Sequence, residues 1–478
     1  MRFRTKVFVG FAALALTGLN AASLHAQQDD EKPKPAARVV LPLPDLRGDQ
    51  QDSGQDNQNL EPDPHPVGGV QTATLGTPQL RHSYWAPAIQ YGNTAQSNNF
   101  SNTGTQNAGW TTTNYASGNL SLLEAGSHVK FGTNYTGGGF FSTDSNQGNG
   151  QFHQLASAFE IDEKRWQLLF MEQFYYLPQS TFGFGGNTDL SVPGVSGPLS
   201  VTLPGIQEVF APGQAVYTAT GPRYSSDSAA QLSYAVSRRG SFTVAAVYGL
   251  LRFSDPGNTD NDMEILNAAY NYAITRKDFV GAIYRFTAYH FPGNPEALGD
   301  NVAQFMYGRR ITGKLALTLA GGPDITNFRI PVNGVQRTLS GSGLASLVYS
   351  FRVSSARLNY SHGVASGGGL LSGSSSDQLT ASLSRTLSRV WNASMNFGYA
   401  RNKQLVTLKA LSSPSYNSYL AGGGLTRPLG EAMSISIGYQ AQIQASNGIV
   451  CTSACKTIET THQIHLSFQW HGPAQVLR

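Results

Sequence analysis

One segment near the C-terminus alternates apolar and polar residues so regularly that it limits the secondary structure it can form. Side chains two residues apart share a face only in a β-strand, so this pattern predicts a strand with one face for lipid and one for water. The same split recurs over residues 391–399 and 458–470. Between Gly430 and Ala445 the apolar set is Met433, Ile435, Ile437, Tyr439, Ala441 and Ile443, and the polar set is Ser434, Ser436, Gly438, Gln440, Gln442 and Gln444.

Composition excludes an ordinary soluble domain and a helical membrane protein. Only 13% of the residues are charged, compared with about 25% in typical soluble proteins. After Leu19 no apolar run approaches the roughly 18 residues that a transmembrane helix needs. The mean hydropathy of −0.24 is unremarkable, as expected for strands whose two faces differ, because the average hides the apolar face.

A soluble β-sandwich also alternates, but three features favour a membrane barrel. Aromatic residues lie towards strand ends, as membrane interfaces require. The opposite face is rich in Ser, Thr, Asn, Gln and Gly, where a sandwich would have a dry core. Short connections alternate with longer ones, which predicts tight periplasmic turns and long external loops. The short connections are 123–127, 162–165, 237–240, 275–278, 312–314, 352–355, 387–389 and 428–431.

This spacing predicts an all-β fold, a transmembrane antiparallel up-and-down β-barrel of about 18 strands. The first strand is placed at His82–Gly92, where Pro87 would suit an edge or a bulge. Omitting the first pair of strands gives the alternative of 16, which is also an even number.

The N-terminus predicts export. A cationic start, an apolar run from Val7 to Leu19 and small residues up to Ala26 indicate a signal peptide over residues 1–26, with cleavage after Ser23 as an alternative. Residues 27–80 are rich in Gln, Asp, Pro and Gly and predict a disordered periplasmic leader. The barrel is then residues 81–478, in the bacterial outer membrane with its lipid as a partner. Cys451 and Cys455 are expected to form a small loop disulfide rather than a metal site.

Together these features resemble the general porins and related outer-membrane barrels from about His82 onward. In many such proteins the last strand carries alternating aromatic residues that the barrel-assembly machinery reads. Phe468 and Trp470 match that spacing, together with Ile464 and Leu466, but His471–Arg478 extend past them. The resemblance implies an architecture, and recognition by that machinery through Phe468 and Trp470.

The segment 178–222 is by far the longest loop. In the 18-strand interpretation it is the third external loop, which in general porins folds inward and narrows the channel. Structureless loops this long are uncommon unless they are functional. The candidate constriction residues are Phe182, Phe184, Asp189 and Glu208, and an external position of the loop is the alternative.

Charged residues that share a face with polar neighbours are candidates for the lumen. Lys130, Arg285 and Arg357 are assigned to it, with Glu459 as an opposing acid, and they predict a weak anion preference. The alternative is that these charges pair across the barrel. Glu172 shares a face with apolar residues, so the sequence predicts a bulge that turns it inward, a neighbour that pairs with it, or a contact in a homo-oligomer.

No constellation for catalysis is predicted. His290, His362 and His465 are candidate bases, but the adjacent Ser361 and His362 would point to opposite faces of a strand. No cofactor or metal site is expected, because no phosphate-binding glycine loop or zinc constellation is present in the sequence. No nucleic-acid surface is expected, because Lys and Arg do not cluster. The predicted function is passive diffusion of small hydrophilic solutes through a porin-like channel. The alternative is a non-enzymatic barrel with a closed lumen, for exopolysaccharide export or surface structure.

Overall fold

Eighteen long antiparallel strands follow one another along the chain in the computed structural model and close into a barrel. The structure describes residues 83–97, 109–143, 149–177, 222–254, 258–293, 297–332, 334–367, 369, 371–405, 415–430, 432–447, 458–472 and 475–476, all within the unit formed by residues 43–478. The strands are β1 Tyr84–Ser97, β2 Trp110–Ala125, β3 Val129–Ser142, β4 Asn149–Asp162, β5 Trp166–Leu177, β6 Arg223–Ala235, β7 Gly240–Phe253, β8 Asn261–Ala273, β9 Asp278–His290, β10 Ala297–Thr312, β11 Leu315–Val332, β12 Val335–Phe351, β13 Ser354–Ala365, β14 Ser374–Thr386, β15 Asn392–Gln404, β16 Ser415–Pro428, β17 Met433–Asn447, β18 Ile458–His471 and the short β19 Gln475–Val476.

Closure is completed by β1, which pairs with β2 on one side and with β18 on the other. The pairs run from Ala88 opposite His471 to Ser97 opposite His462. A closed sheet leaves no edge with unpaired backbone groups, which is the condition for a sheet to cross lipid. The predicted fold class and the count of eighteen are therefore confirmed, and the alternative of sixteen is wrong because β1 is an integral strand.

The seam between β1 and β18 contains an irregularity at Pro87. The pairing of β1 with β18 ends at Ala88 opposite His471. It resumes with Trp85 opposite Gln475 of β19, and the register between these two pairs is shifted by one residue. Proline has no N–H to donate, whereas its carbonyl accepts a hydrogen bond from the Gly472 N–H at 2.8 Å. Pro87 thus lies at a bulge in the seam, where a missing donor is tolerated.

All eight predicted tight connections join consecutive strands at one rim, named here the turn rim. The opposite rim, the loop rim, departs from the predicted pattern at one place. β11 ends at Val332 and β12 begins at Val335, these two residues pair with each other, and Gly334 just before β12 has a φ of 79°. The sequence Asn333–Gly334 is a strong hairpin signal, which alternation of apolar and polar residues does not reveal.

The two faces of the barrel differ as the alternation predicts on many strands. Ile437 and Leu466 on the outer face are 49% and 48% exposed, while the intervening Gln463 and Ser467 on the inner face are buried. Among the residues that the structure describes, no helix is long and apolar enough to cross a membrane.

Several predictions fall outside the described residues. These are the signal peptide 1–26, the leader 27–80, nearly all of the loop 178–222 with Phe182, Phe184, Asp189 and Glu208, and the cysteines Cys451 and Cys455.

Candidate functional site: the barrel lumen

One sector of the inner wall is apolar. Phe279 and Ile283 on β9 pack against Met306 on β10, with Ala269 and Ala316 on the flanking strands. The alternation pattern predicts mostly polar inward residues and gives no sign of this sector. β8, β9 and β10 carry apolar residues on both faces, so the contrast on which a face assignment depends is weak there.

Large inward side chains lie flat over glycines of the neighbouring strand. A Cβ added to Gly308 would come within 2.0 Å of the Phe279 ring, and one on Gly438 within 2.1 Å of the His465 ring. Without a Cβ beneath them, these rings lie along the wall instead of projecting into the lumen. These glycines therefore reduce how far the Phe279 and His465 rings project into the lumen.

Two smaller apolar clusters also lie on the inner face, one on β2 to β4 and one on β5 and β6, and the rest of the wall is largely polar with few charges. The first cluster is Tyr115, Phe140 and Phe152, and the second is Leu169, Met171 and Ala229. On β14 to β18, β1 and β2, the inner face presents mainly amide and hydroxyl side chains, interrupted by a few apolar ones such as Ala400 and Leu420. Such groups exchange hydrogen bonds with water or with polar solutes without a full charge. The buried inward members of this neutral sector include Gln90, Thr94, Ser117, Ser376, Asn402, Ser418, Gln442, Gln463 and Ser467.

Lys130 lies on the inner face of β3 and is paired. Its Nζ is 3.2 Å from Glu160 Oε1 and 3.8 Å from Asp162 Oδ2, with the Lys130 and Glu160 side chains 38% and 13% exposed. Glu160 also accepts a hydrogen bond from Gln167 at 2.7 Å. Lys130 and Glu160 are direct cross-strand neighbours. This counter-charge was missed because strand register is not visible in the sequence.

Arg285 lies on the inner face of β9, in a row with two buried carboxyl groups. Val302 on β10 faces Arg285 on one side and Asp324 of β11 on the other. Asp300 and Asp324 are 1% and 0% exposed, and the Thr326 hydroxyl donates to Asp300 at 3.3 Å. Arg285 is close enough to attract Asp300 electrostatically. Neither acid was identified from the sequence, although both share the inner face with apolar neighbours.

The four charges assigned to the lumen are not brought together. Arg357 lies on β13 opposite Val348 and Ser382. Glu459 occupies a position on β18 opposite Gln444. Lys130, on β3, is separated from β18 by β1 and β2, and Arg285, on β9, is separated from β13 by β10 to β12. These four positions do not form a local cluster. Any combined effect of their charges on ions would act through the electrostatic potential of the whole lumen.

The stretch that follows β13 folds inward at the loop rim, although no sequence pattern predicted this. The pairing of β13 with β12 ends at His362. The described residues of 363–373, which include the end of β13, are named here the inward segment. The Tyr289 hydroxyl on the inner face of β9 donates to the Val364 carbonyl at 3.3 Å. The Thr259 N–H donates to the Gly369 carbonyl at 2.6 Å. Val364 also joins an apolar cluster with Met263, Ile265, Tyr289, Phe291, Leu298 and Phe328.

Glycines shape this segment. Gly367 and Gly369 have φ values of 94° and 87°, which L-residues with a side chain rarely adopt,. The run from Ser366 to Gly369 was therefore the available sequence signal for a sharply turning loop, but it does not reveal the direction of the turn.

Glu172 is not turned inward. The pairing of β5 with β4 and with β6 is continuous through this residue, so the predicted bulge is wrong. Glu172 stays on the outer face and accepts hydrogen bonds from the Ser226 hydroxyl at 2.8 Å and from the Ser228 hydroxyl. The alternative that a neighbour pairs with it is confirmed.

His362 also lies on the outer face. Its Nδ1 is 2.7 Å from Asp377 Oδ1, and the Tyr360 hydroxyl donates to the same carboxylate oxygen at 3.0 Å. The adjacent Ser361 belongs to the other face of the strand, as the alternation predicts.

A closed antiparallel barrel with an apolar outer face and a largely polar inner face is the architecture of a porin-like transmembrane β-barrel,. No known protein family and no curated protein matches the sequence. Solved structures with a similar arrangement include Pseudomonas aeruginosa OccK2 (OpdF) in complex with glucuronate, at 12% identity and a TM-score of 0.43, covering 81% of this chain and 98% of that chain. Acinetobacter baumannii OccAB1 has 9% identity and a TM-score of 0.41, covering 81% and 96%. Similarity at this level assigns no role to any residue.

Proposed function

We propose that this barrel is an outer-membrane channel for passive diffusion of small hydrophilic solutes. The observation that carries the proposal is the neutral sector of the inner wall, where amide and hydroxyl groups line β14 to β18, β1 and β2. Such a wall offers hydrogen bonds to uncharged polar solutes and to small ions alike. The apolar outer face supports a location in lipid, and export through the signal peptide 1–26 is part of the proposal.

Swelling of liposomes that contain the purified full chain tests this function. Sugars of graded size are added outside, and protein-free liposomes serve as the control. Swelling rates that fall with increasing sugar size are expected. If even the smallest sugar fails to enter, the channel proposal is wrong.

The alternative function, a closed barrel for exopolysaccharide export or surface structure, has one observation in its favour. The inward segment is held at the loop rim by hydrogen bonds and by an apolar cluster. Its position there reduces the open cross-section of the barrel. Absence of swelling in folded, reconstituted protein would support this alternative.

The inward constriction by loop 178–222 is a further part of the proposal, with Phe182, Phe184, Asp189 and Glu208 as its lining residues. The length of this loop supports the constriction, because structureless loops of this size are uncommon unless they are functional. The weak anion preference also stays a proposal. Lys130 and Arg285 each lie near carboxylates, so their contribution is smaller than that of isolated charges.

We also propose that Phe468 and Trp470 are read by the barrel-assembly machinery. Both occupy the outer face of β18, the strand that closes the seam. Replacing both by Ala should lower the amount of folded barrel in cells, while the matched outward variant Ile437→Ala on β17 should not. Equal folded yields for the two variants would contradict this role.

A further inference from the structure

A patch of hydroxyl groups surrounds Glu172 on the outer face of four consecutive strands. Thr133, Ser157, Glu172 and Ser228 lie opposite one another on β3, β4, β5 and β6. The hydroxyls of Thr133 and Ser157 are 2.8 Å apart. Ser226, one outward position from Ser228, adds its bond to Glu172. These five residues are named here the hydroxyl patch.

The patch lies at the depth where the outer face should be apolar. Trp166 pairs with Tyr234 near the turn rim, and Tyr176 pairs with Tyr224 near the loop rim. Aromatic girdles of this kind mark the two membrane interfaces, and the Glu172–Ser228 pair lies between them.

Among the described strands, the other outward carboxylates lie nearer the strand ends. Glu264 and Asp377 are each the fourth residue from the loop-rim end of their strands. Glu172 is the seventh of the 12 residues of β5. Hydrocarbon chains have no hydrogen-bonding groups, so within the barrel Glu172 depends on the hydroxyls of Ser226 and Ser228,.

The hydrogen-bonding capacity of the patch is only partly used. A carboxylate offers about four lone-pair sites, and Ser226 and Ser228 supply two donors. In the Thr133–Ser157 pair one hydroxyl donates to the other, so the second keeps a hydrogen to donate elsewhere. Spare acceptors and a spare donor on one surface make the patch complementary to itself.

The small size of the side chains in the hydroxyl patch also favours a second barrel as its partner. Serine and threonine side chains are short, so another barrel can approach closely, as small residues permit between membrane-spanning elements. Phe170 and Phe174 flank Glu172 on the same face of β5 and supply apolar contact area around the polar centre. We propose that a second copy of this chain binds at the hydroxyl patch. This inference does not depend on the channel function.

Replacement of Glu172 by Leu tests the interface with the full chain in detergent. If the patch faced lipid, Glu172→Leu would remove an unfavourable carboxylate and leave the mass of the particle unchanged. If a second copy binds there, the dissociation constant should rise at least tenfold, measured by light scattering over a concentration series. Glu264→Leu is the matched control and should associate as the wild type does.

Crosslinking gives a second readout that does not require loss of an interaction. In a background with Cys451→Ser and Cys455→Ser, a short bismaleimide should join chains that carry Ser157→Cys. It should not join chains that carry Ile437→Cys on another sector of the outer face. A wild-type protein that is monomeric in detergent and in vesicles, or equal crosslinking at both positions, would overturn the proposal. Gel mobility before and after heating verifies that each variant is folded, and single-channel conductance tests the channel separately.

Discussion

At Gly308 the inner wall depends on the absence of one methyl group. The Phe279 ring occupies the space that a Cβ would need, at 2.0 Å. Gly308→Ala should therefore displace the ring, lower the free energy of unfolding by about 1–3 kcal/mol and reduce conductance as the ring enters the lumen.

Gly299→Ala is the matched control on the same strand, because its new Cβ would contact Phe286 at an ordinary 3.5 Å. Denaturant unfolding and single-channel recording of both variants check the prediction. Equal stability of the two variants would show that the ring can move without cost.

Lys130 is the residue whose contribution to ion preference is easiest to isolate. Its partial exposure and its contacts with Glu160 and Asp162 predict a small role in stability, within about 1 kcal/mol,. Lys130→Met should leave Glu160 uncompensated and shift the reversal potential towards cations. Glu160→Gln should shift it the other way. Shifts of the same sign in the two variants would contradict a direct effect of these charges on ions.

Elements differ in how well their role follows from sequence. The tight connections and the strands that they join were predicted because alternation and turn residues are local signals. The inward segment was not, because its position depends on contacts with Tyr289 and Thr259, which are distant in sequence.

Two deletions compare the candidate constrictions. Removal of residues 367–372 should raise single-channel conductance, since it takes away the segment that crosses the inner face at the loop rim. Removal of residues 188–211 should also raise conductance if the loop 178–222 narrows the channel as proposed. Unchanged conductance after either deletion would exclude a constricting role for that loop.

At the scale of the molecule, stability depends on closure. β1 supplies pairing partners to both β2 and β18. Deletion of the leader 27–80 behind the signal peptide should leave a barrel whose gel mobility changes on heating. Extending the deletion through residue 97 should abolish this folded band, because two edges are then left unpaired. A folded band after the longer deletion would mean that a 16-strand barrel closes without β1.

The sequence by itself determined that this chain forms strands with one lipid-compatible face, roughly where most of them lie and where the tight turns join them, whereas the choice between 16 and 18 strands needed the closed sheet, in which β1 (Tyr84–Ser97) pairs with β2 and β18. These properties depend on residues close together in the chain, as in the alternation of Met433–Ile443. Only the tertiary structure decided that Lys130 meets Glu160, that Asp300 and Asp324 are buried beside Arg285, and that Glu172 keeps its outward position. The physical reason is register: which side chains become neighbours depends on how strands pair around the closed barrel, and a pattern within one strand carries no information about its partner.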